Sequence, residues 1–249
     1  MKNLFLISSS KYQGGQFWAH CDNALGNFLG HPQKGKNKII FIPHANADMI
    51  YDQYTLMASG VLSSFGYEVV GLHKYSATEM HDMLKDPAIS TMCIGGGNTW
   101  LLNYILQEKT PPGFLRAIKE KIDNGEWKYI GASAGTVTAC PTFLTTNDMP
   151  VVLPKSEKAL NIVPFQINPH FVPGALVDKH MGETREERIR QVILHNPDWQ
   201  VVGLPEGCWI EGRGNEYVLY GTGEAAIFRK DGNNSIWLPG ESFNLVGML

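Results

Sequence analysis

Long apolar runs are missing from this chain. Its N-terminal stretch Leu4-Phe5-Leu6-Ile7 is far shorter than the ~20 residues a membrane-spanning helix needs. No small-residue cleavage site follows it, so it reads as a first buried strand and not as a secretory leader. Cysteine is scarce as well. Cys21, Cys93, Cys140 and Cys208 stand far apart and form no Cys-x-x-Cys pair, which argues against a disulfide framework or a thiolate metal centre. Excess charge is lacking too. With 21 Lys and Arg against 24 Asp and Glu the net charge is −3, and phosphate binding asks for a cationic surface. Repeats, low-complexity tracts and linkers are absent. These gaps fit a cytoplasmic enzyme with reduced thiols, folded as one domain over 1–249, and argue against a membrane span, nucleic acid and a metal site; no organic cofactor is implied either.

Apolar runs of strand length alternate with stretches of helical period. The runs are Asn3–Ile7, Lys38–Ile42, Glu68–Leu72, Thr91–Ile94, Trp127–Ala132 and Val201–Leu204. Several are apolar at consecutive positions, as in strands covered on both faces. The expected helices are Phe17–Leu29, Ile50–Phe65, Thr78–Lys85, Thr99–Gln107, Phe114–Asn124 and Arg185–His195. Such alternation predicts a three-layer α/β/α fold around a mostly parallel sheet. Near the end, Glu216–Tyr220, Ala225–Arg229 and Ser235–Leu238 are short runs between turns such as Gly221-Thr222-Gly223 and Asp231-Gly232. They read as an antiparallel extension.

Ligands of open α/β sheets bind at the carboxyl ends of strands, and three strand ends here are unusual. Pro43-His44-Ala45-Asn46 follows Ile42, and Gly95-Gly96-Gly97-Asn98-Thr99 follows Ile94. After Ile130 comes Gly131-Ala132-Ser133-Ala134-Gly135, the sequence form of a nucleophile elbow. A serine hydroxyl needs a base within reach, and the base needs an orienting acid. Among eight histidines, His170 has the most suggestive setting, Gln166-Ile167-Asn168-Pro169-His170-Phe171, with His44 its competitor. Two acids compete for the third place. Asp148 lies in Thr145-Thr146-Asn147-Asp148-Met149-Pro150, where a turn or cap role is the plainer reading. Glu206 follows a strand in Gly203-Leu204-Pro205-Glu206-Gly207, where it could equally be a solvated loop acid.

The glycine run after Ile94 is either a tight strand–helix turn or half of an oxyanion hole. In the second reading Gly96 or Gly97 donates one N–H and Ala134 the other. No lysine follows the run, so it is not a phosphate-binding P-loop. Gly182-Glu183-Thr184-Arg185-Glu186-Glu187 opens a helix with capping-box spacing. Its charges read mainly as a solvated face, although an arginine at that junction can grip a carboxylate in a bidentate way.

Together these motifs, with Cys140-Pro141-Thr142, resemble the peptidase E family, serine-type aspartyl dipeptidases related to class I glutamine amidotransferases. The resemblance runs from the first strand to about Trp209. It implies an amidotransferase-like, flavodoxin-like α/β/α fold and hydrolysis of Asp-X dipeptides by a monomer or small homo-oligomer. It implies Ser133 as nucleophile, His170 as base and Asp148 as the favoured orienting acid. Glu206 and Asn98 then fall on the substrate side, and Arg185 faces the aspartate side chain. A related specificity, isoaspartyl or cyanophycinase-like, is the nearest alternative, and a non-catalytic binding protein on the same scaffold a more distant one. Amidotransferases carry cysteine on the elbow and an acid two residues after the histidine. Here those places hold Ser133 and Val172.

Overall fold

A computed structural model describes residues 1–173 and 182–244. Its main sheet has eight strands in the order β12-β9-β8-β1-β5-β4-β2-β3. The parallel part consists of β1 (Asn3–Ile7), β5 (Lys128–Ala132), β4 (Ile89–Ile94), β2 (Lys38–Ile42) and β3 (Glu68–Gly71). On the β1 side, β8 (Cys208–Arg213), β9 (Glu216–Gly221) and β12 (Ser242–Asn244) add antiparallel.

Both faces of this sheet are apolar, which is why the parallel strands show unbroken hydrophobic runs. On one face Phe5, Ile7, Ile39, Phe41, Cys93 and Ile130 pack with Leu25 and Phe28 of α1 (Asp22–Leu29) and with Tyr54, Ala58 and Leu62 of α2 (Tyr51–Leu62). The other face carries Leu4, Leu6, Ile40, Ile42, Met92 and Ile94. It meets α3 (Ala77–Met83), α4 (Thr99–Glu108) and α5 (Phe114–Asp123) through Met80, Leu102, Leu106, Ile118 and Ile122. The short helix α6 (Ala134–Thr138) follows β5 and is buried throughout.

The expected α/β architecture is present, with one addition. A second sheet runs β11-β10-β7-β6. It comprises β6 (Gln166–Pro169), β7 (Val201–Leu204), β10 (Ala225–Phe228) and β11 (Ser235–Trp237). Val201–Leu204 therefore belongs to this smaller sheet and not to the main one. The three expected C-terminal runs divide between the two, with β9 in the main sheet and β10 and β11 in the second, and β12, which was not expected, extends the main sheet. Ile167, Val202, Leu204 and Ile227 tie the second sheet to the core. On the second sheet, Ile189 and Ile193 of α7 (Arg185–His195) pack with Phe171, Val201 and Phe228.

The first helix starts later than its apolar period suggests. Trp18 has φ +57° and is fully buried, so residues 17–21 form turns before α1 begins. No helix among the described residues is long and apolar enough to cross a membrane.

Candidate active site

Ser133 sits between β5 and α6 with φ +51° and ψ −109°, a backbone state that L-residues occupy only at a cost of order 1–3 kcal/mol. Contacts on both sides hold it there. Its N–H donates to the Ile7 carbonyl at 3.0 Å, and its own carbonyl accepts from Val137 N–H at 3.0 Å. The glycines of the motif are required by approach distance. A Cβ on Gly135 would overlap the Ile94 carbonyl, and one on Gly131 would lie 2.6 Å from the Gly135 oxygen. The elbow is thus pressed onto the end of β4, with its hydroxyl above the sheet.

His170 meets that hydroxyl. Ser133 Oγ and His170 Nε2 are 2.8 Å apart. His170 also has positive φ, +54°, and it too is braced. Its N–H donates to Ser8 Oγ at 2.9 Å, and Ser8 Oγ donates to the Leu204 carbonyl at 2.8 Å. Asn147 Nδ2 holds the Pro169 carbonyl at 2.8 Å, and Asn168 Nδ2 reaches the Thr145 carbonyl at 2.7 Å and Asn147 Oδ1 at 2.8 Å. The competitor His44 lies apart from this pair, its ring beside Tyr51 and His73.

The acid at the far ring nitrogen is Glu206. Its Oε1 lies 2.6 Å from His170 Nδ1. A proton on Nδ1 donated to that carboxylate leaves Nε2 free to accept from Ser133 Oγ, the tautomer that base catalysis requires. The expectation that Asp148 orients the ring, with Glu206 on the substrate side, is corrected here. Asp148 Oδ2 is taken up by Thr99 N at 2.8 Å, Thr99 Oγ1 at 2.6 Å and Thr146 Oγ1 at 2.9 Å. Its negative charge complements the first turn of α4, and the loop is stapled there further by Trp100 Nε1 donating to the Asp148 carbonyl at 3.0 Å. Asn98, expected on the substrate side, holds the start of α4. Its Oδ1 caps α4 by accepting from Leu101 N–H at 3.0 Å, and its Nδ2 donates to the Met149 carbonyl at 2.9 Å. Its side-chain amide is therefore engaged at both ends within the chain.

Ser133, His170, Glu206, Asp148, Gly96 and Gly97 line one cleft of ≈ 580 Å³, room for a small peptide. Sequence reasoning missed the other wall, which is Ser9, Ser10, Lys11, Phe17, Tyr54 and Met57. The signal for part of it was available: Ser8-Ser9-Ser10 is itself a polar strand end, after β1. Ala134 opens α6, so its N–H has no acceptor inside that helix. Among the described residues the Gly97 N–H donates no hydrogen bond within the chain.

Arg185 is the first residue of α7, behind a capping box in which Thr184 Oγ1 accepts from Glu187 N–H and the Glu187 carboxylate accepts from Thr184 N–H. Among the described residues Arg185 makes no hydrogen bond or ion pair, and its Nη1 is buried without a partner. Burial pushes its pKa down and Arg188 adds to that, while the charges of Asp148 and Glu206 pull it up. The guanidinium thus lies within the field of two cleft carboxylates, with a buried donor unspent. All four cysteines are unpaired and buried. Among the described residues no cluster of three His, Cys, Asp or Glu could hold a metal ion.

The sequence pattern of Peptidase family S51 matches residues 4–220. A peptidase E from Nostoc sp. (strain PCC 7120) is 36% identical over 245 residues, covering 98% of this chain and 96% of the relative. A peptidase E from Salmonella arizonae is 39% identical over 226 residues, covering 91% and 93%. Among solved structures, a protein named for peptidase E from Listeria monocytogenes EGD-e superposes with TM-score 0.65 at 28% identity, over 90% of this chain and 100% of that one. A peptidase from an acI-B1 actinobacterium shares the fold, with TM-score 0.68 at 16% identity over 98% and 97%. The chain belongs to peptidase family S51 and is a serine dipeptidase of that family, acting on peptide substrates.

Proposed function

We propose that the chain hydrolyses dipeptides with an N-terminal aspartate through an acyl-enzyme on Ser133, with His170 as base and Glu206 as the orienting acid. The contact that carries this reading is the unbroken relay Ser133 Oγ–His170 Nε2 at 2.8 Å and His170 Nδ1–Glu206 Oε1 at 2.6 Å. Ser133 Oγ attacks the carbonyl carbon of the aspartyl residue as its proton passes to Nε2. N–H groups of the Gly96–Gly97 turn and of Ala134 hold the oxyanion. The carbon–nitrogen bond then breaks, and Nε2–H protonates the leaving amine. Water repeats the sequence on the ester and frees aspartate.

Recognition follows from charge. An N-terminal aspartate offers an ammonium and a carboxylate a few ångströms apart. Their complements are Asp148, which lines the cleft, and Arg185, which lies within the field of the cleft carboxylates. Arg185 has donors unspent, and Asp148 is held by Oδ2 alone, with no hydrogen bond to its Oδ1 among the described residues. Arg185 therefore takes the side-chain carboxylate, and Asp148 the ammonium. The same reading treats 1–249 as one peptidase domain. It acts in the cytoplasm as a monomer or small homo-oligomer, without metal or organic cofactor.

A panel of α-Asp-X, β-Asp-X, Glu-X and Met-X dipeptides, run with wild type and Ser133→Ala, tests the proposal. The expected result is turnover of α-Asp-X alone, lost in Ser133→Ala. Preference for β-Asp-X or Met-X would remove the specificity, and turnover by Ser133→Ala would remove the mechanism.

A further inference from the structure

The oxyanion site has a feature that its donors alone do not explain. Tyr54, on α2 and 8% exposed, donates its hydroxyl to the Gly96 carbonyl at 3.1 Å. Its ring is wedged edge-on against Phe41 at 5.1 Å and Phe17 at 6.0 Å. The chain makes room for it, since a Cβ on Gly95 would lie 2.5 Å from the Tyr54 oxygen. Burial pushes the Tyr54 phenol up to about 12, so it stays a donor at neutral pH.

The Gly96–Gly97 peptide is trans, so its N–H points away from its own carbonyl. Gly97 has φ +135°, and a Cβ there would overlap the Ala45 carbonyl, which also accepts from Asn98 N–H at 2.7 Å. The turn is therefore anchored on its Asn98 side by Ala45 and on its Gly96 side by Tyr54. Between the anchors stands the Gly97 N–H, which has no partner among the described residues. The turn adjoins the nucleophile at Gly96, where an added Cβ would lie 3.0 Å from Ser133 Cβ.

We infer that Tyr54 is a positioning residue for the oxyanion hole: by fixing the Gly96 carbonyl it aims the Gly97 N–H at the oxygen that becomes negative when Ser133 attacks. The inference rests on the proposed acyl-enzyme at Ser133. It assigns the Gly97 N–H to the hole through the orientation of its peptide, while the Gly96 N–H is likewise without a partner among the described residues. Pre-orientation matters because a glycine turn is soft, and a donor free to swing loses much of its value for transition-state charge.

Tyr54→Phe removes the hydroxyl and keeps the ring. It is assayed per folded enzyme, counted by end-point labelling of Ser133 with a fluorophosphonate, alongside Ser133→Ala. The account expects kcat on Asp-Leu to fall about tenfold, below the ~10²–10³ of losing a whole oxyanion donor. KM should stay within about twofold. Affinity for a tetrahedral aspartyl boronate should weaken by the same factor as kcat, while affinity for free aspartate holds. Tyr54→Met, which fills the site without a donor, should show the same split if the phenylalanine variant does not fold. Unchanged kcat and boronate affinity, or equal losses of boronate and aspartate binding, would overturn the inference while leaving Ser133 catalysis intact. Turnover by Ser133→Ala would overturn both.

Discussion

Glu206 Oε1 lies 2.6 Å from His170 Nδ1, whereas Asp148 spends its Oδ2 on Thr99 and Thr146 at the start of α4. The two acids are thereby given different work. Glu206→Gln removes the acceptor that selects the His170 tautomer, so kcat should fall by roughly 10²–10⁴ with KM little changed. Asp148→Asn should raise KM for Asp-Leu at least about tenfold and leave kcat much closer to wild type. The check is steady-state kinetics of both variants. Normal kcat in Glu206→Gln would return the orienting role to another group.

In the proposed recognition, Arg185 carries the discrimination for aspartate. Arg185→Met should lower kcat/KM for Asp-Leu by about 10–100-fold, the worth of one charge-assisted contact. Turnover of the neutral isostere Asn-Leu should move little. Comparable losses on both substrates would show a structural role for the arginine instead.

The elbow depends on an approach that tolerates no methyl group. Because a Cβ on Gly135 would overlap the Ile94 carbonyl, Gly135→Ala must push α6 off β4. The expected cost is roughly 3 kcal/mol or more, read as a large drop in Tm or loss of soluble protein. An unchanged Tm would mean that the helix does not rest on that strand end.

His44 should make the fold acid-sensitive. Burial, and secondarily the neighbouring His73, hold its imidazole down at about 4, against ~6.5 in an unfolded chain. Between those values the unfolded state takes up a proton that the folded state refuses, so stability rises with pH across this window. It is fully present above ~6.5 and declines by up to ~3 kcal/mol as pH falls toward 4. Urea midpoints of wild type and His44→Phe, compared at pH 7 and pH 4.5, measure this directly. The variant should lose less on acidification, and parallel losses would contradict the assignment.

The parallel strands, α7 and the elbow were legible because hydrophobic period and glycine spacing are local signals. Gln166–Pro169 was not, since polar residues and a proline look like a loop. It is nevertheless a strand with all four residues buried. Two features permit this. β6 lies at the edge of its sheet, where a proline without N–H is tolerated, and the Asn168 amide finds partners in the 145–147 loop. The choice of acid was hidden for a different reason, because it is a relation between chain segments remote in sequence. β6 pairs in parallel with β7, with Pro169 opposite Leu204. The residues just beyond, His170 and Glu206, therefore leave the second sheet at the same end. Once that pairing is known, the acid follows. Tyr54 was hidden likewise, since nothing in its own segment marks it as a wall of the cleft, whereas Ser9 and Ser10 carried a signal as part of a polar strand end.

The central claim is that a bound aspartyl group passes through Ser133. Acid-quenched mass spectrometry of wild type mixed with an aspartyl p-nitroanilide for a fraction of a turnover reads this directly. The account predicts an aspartyl ester on the peptide that contains Ser133, absent from Ser133→Ala. Burst release of nitroaniline with no adduct on that peptide, or with the adduct on another residue, would contradict it.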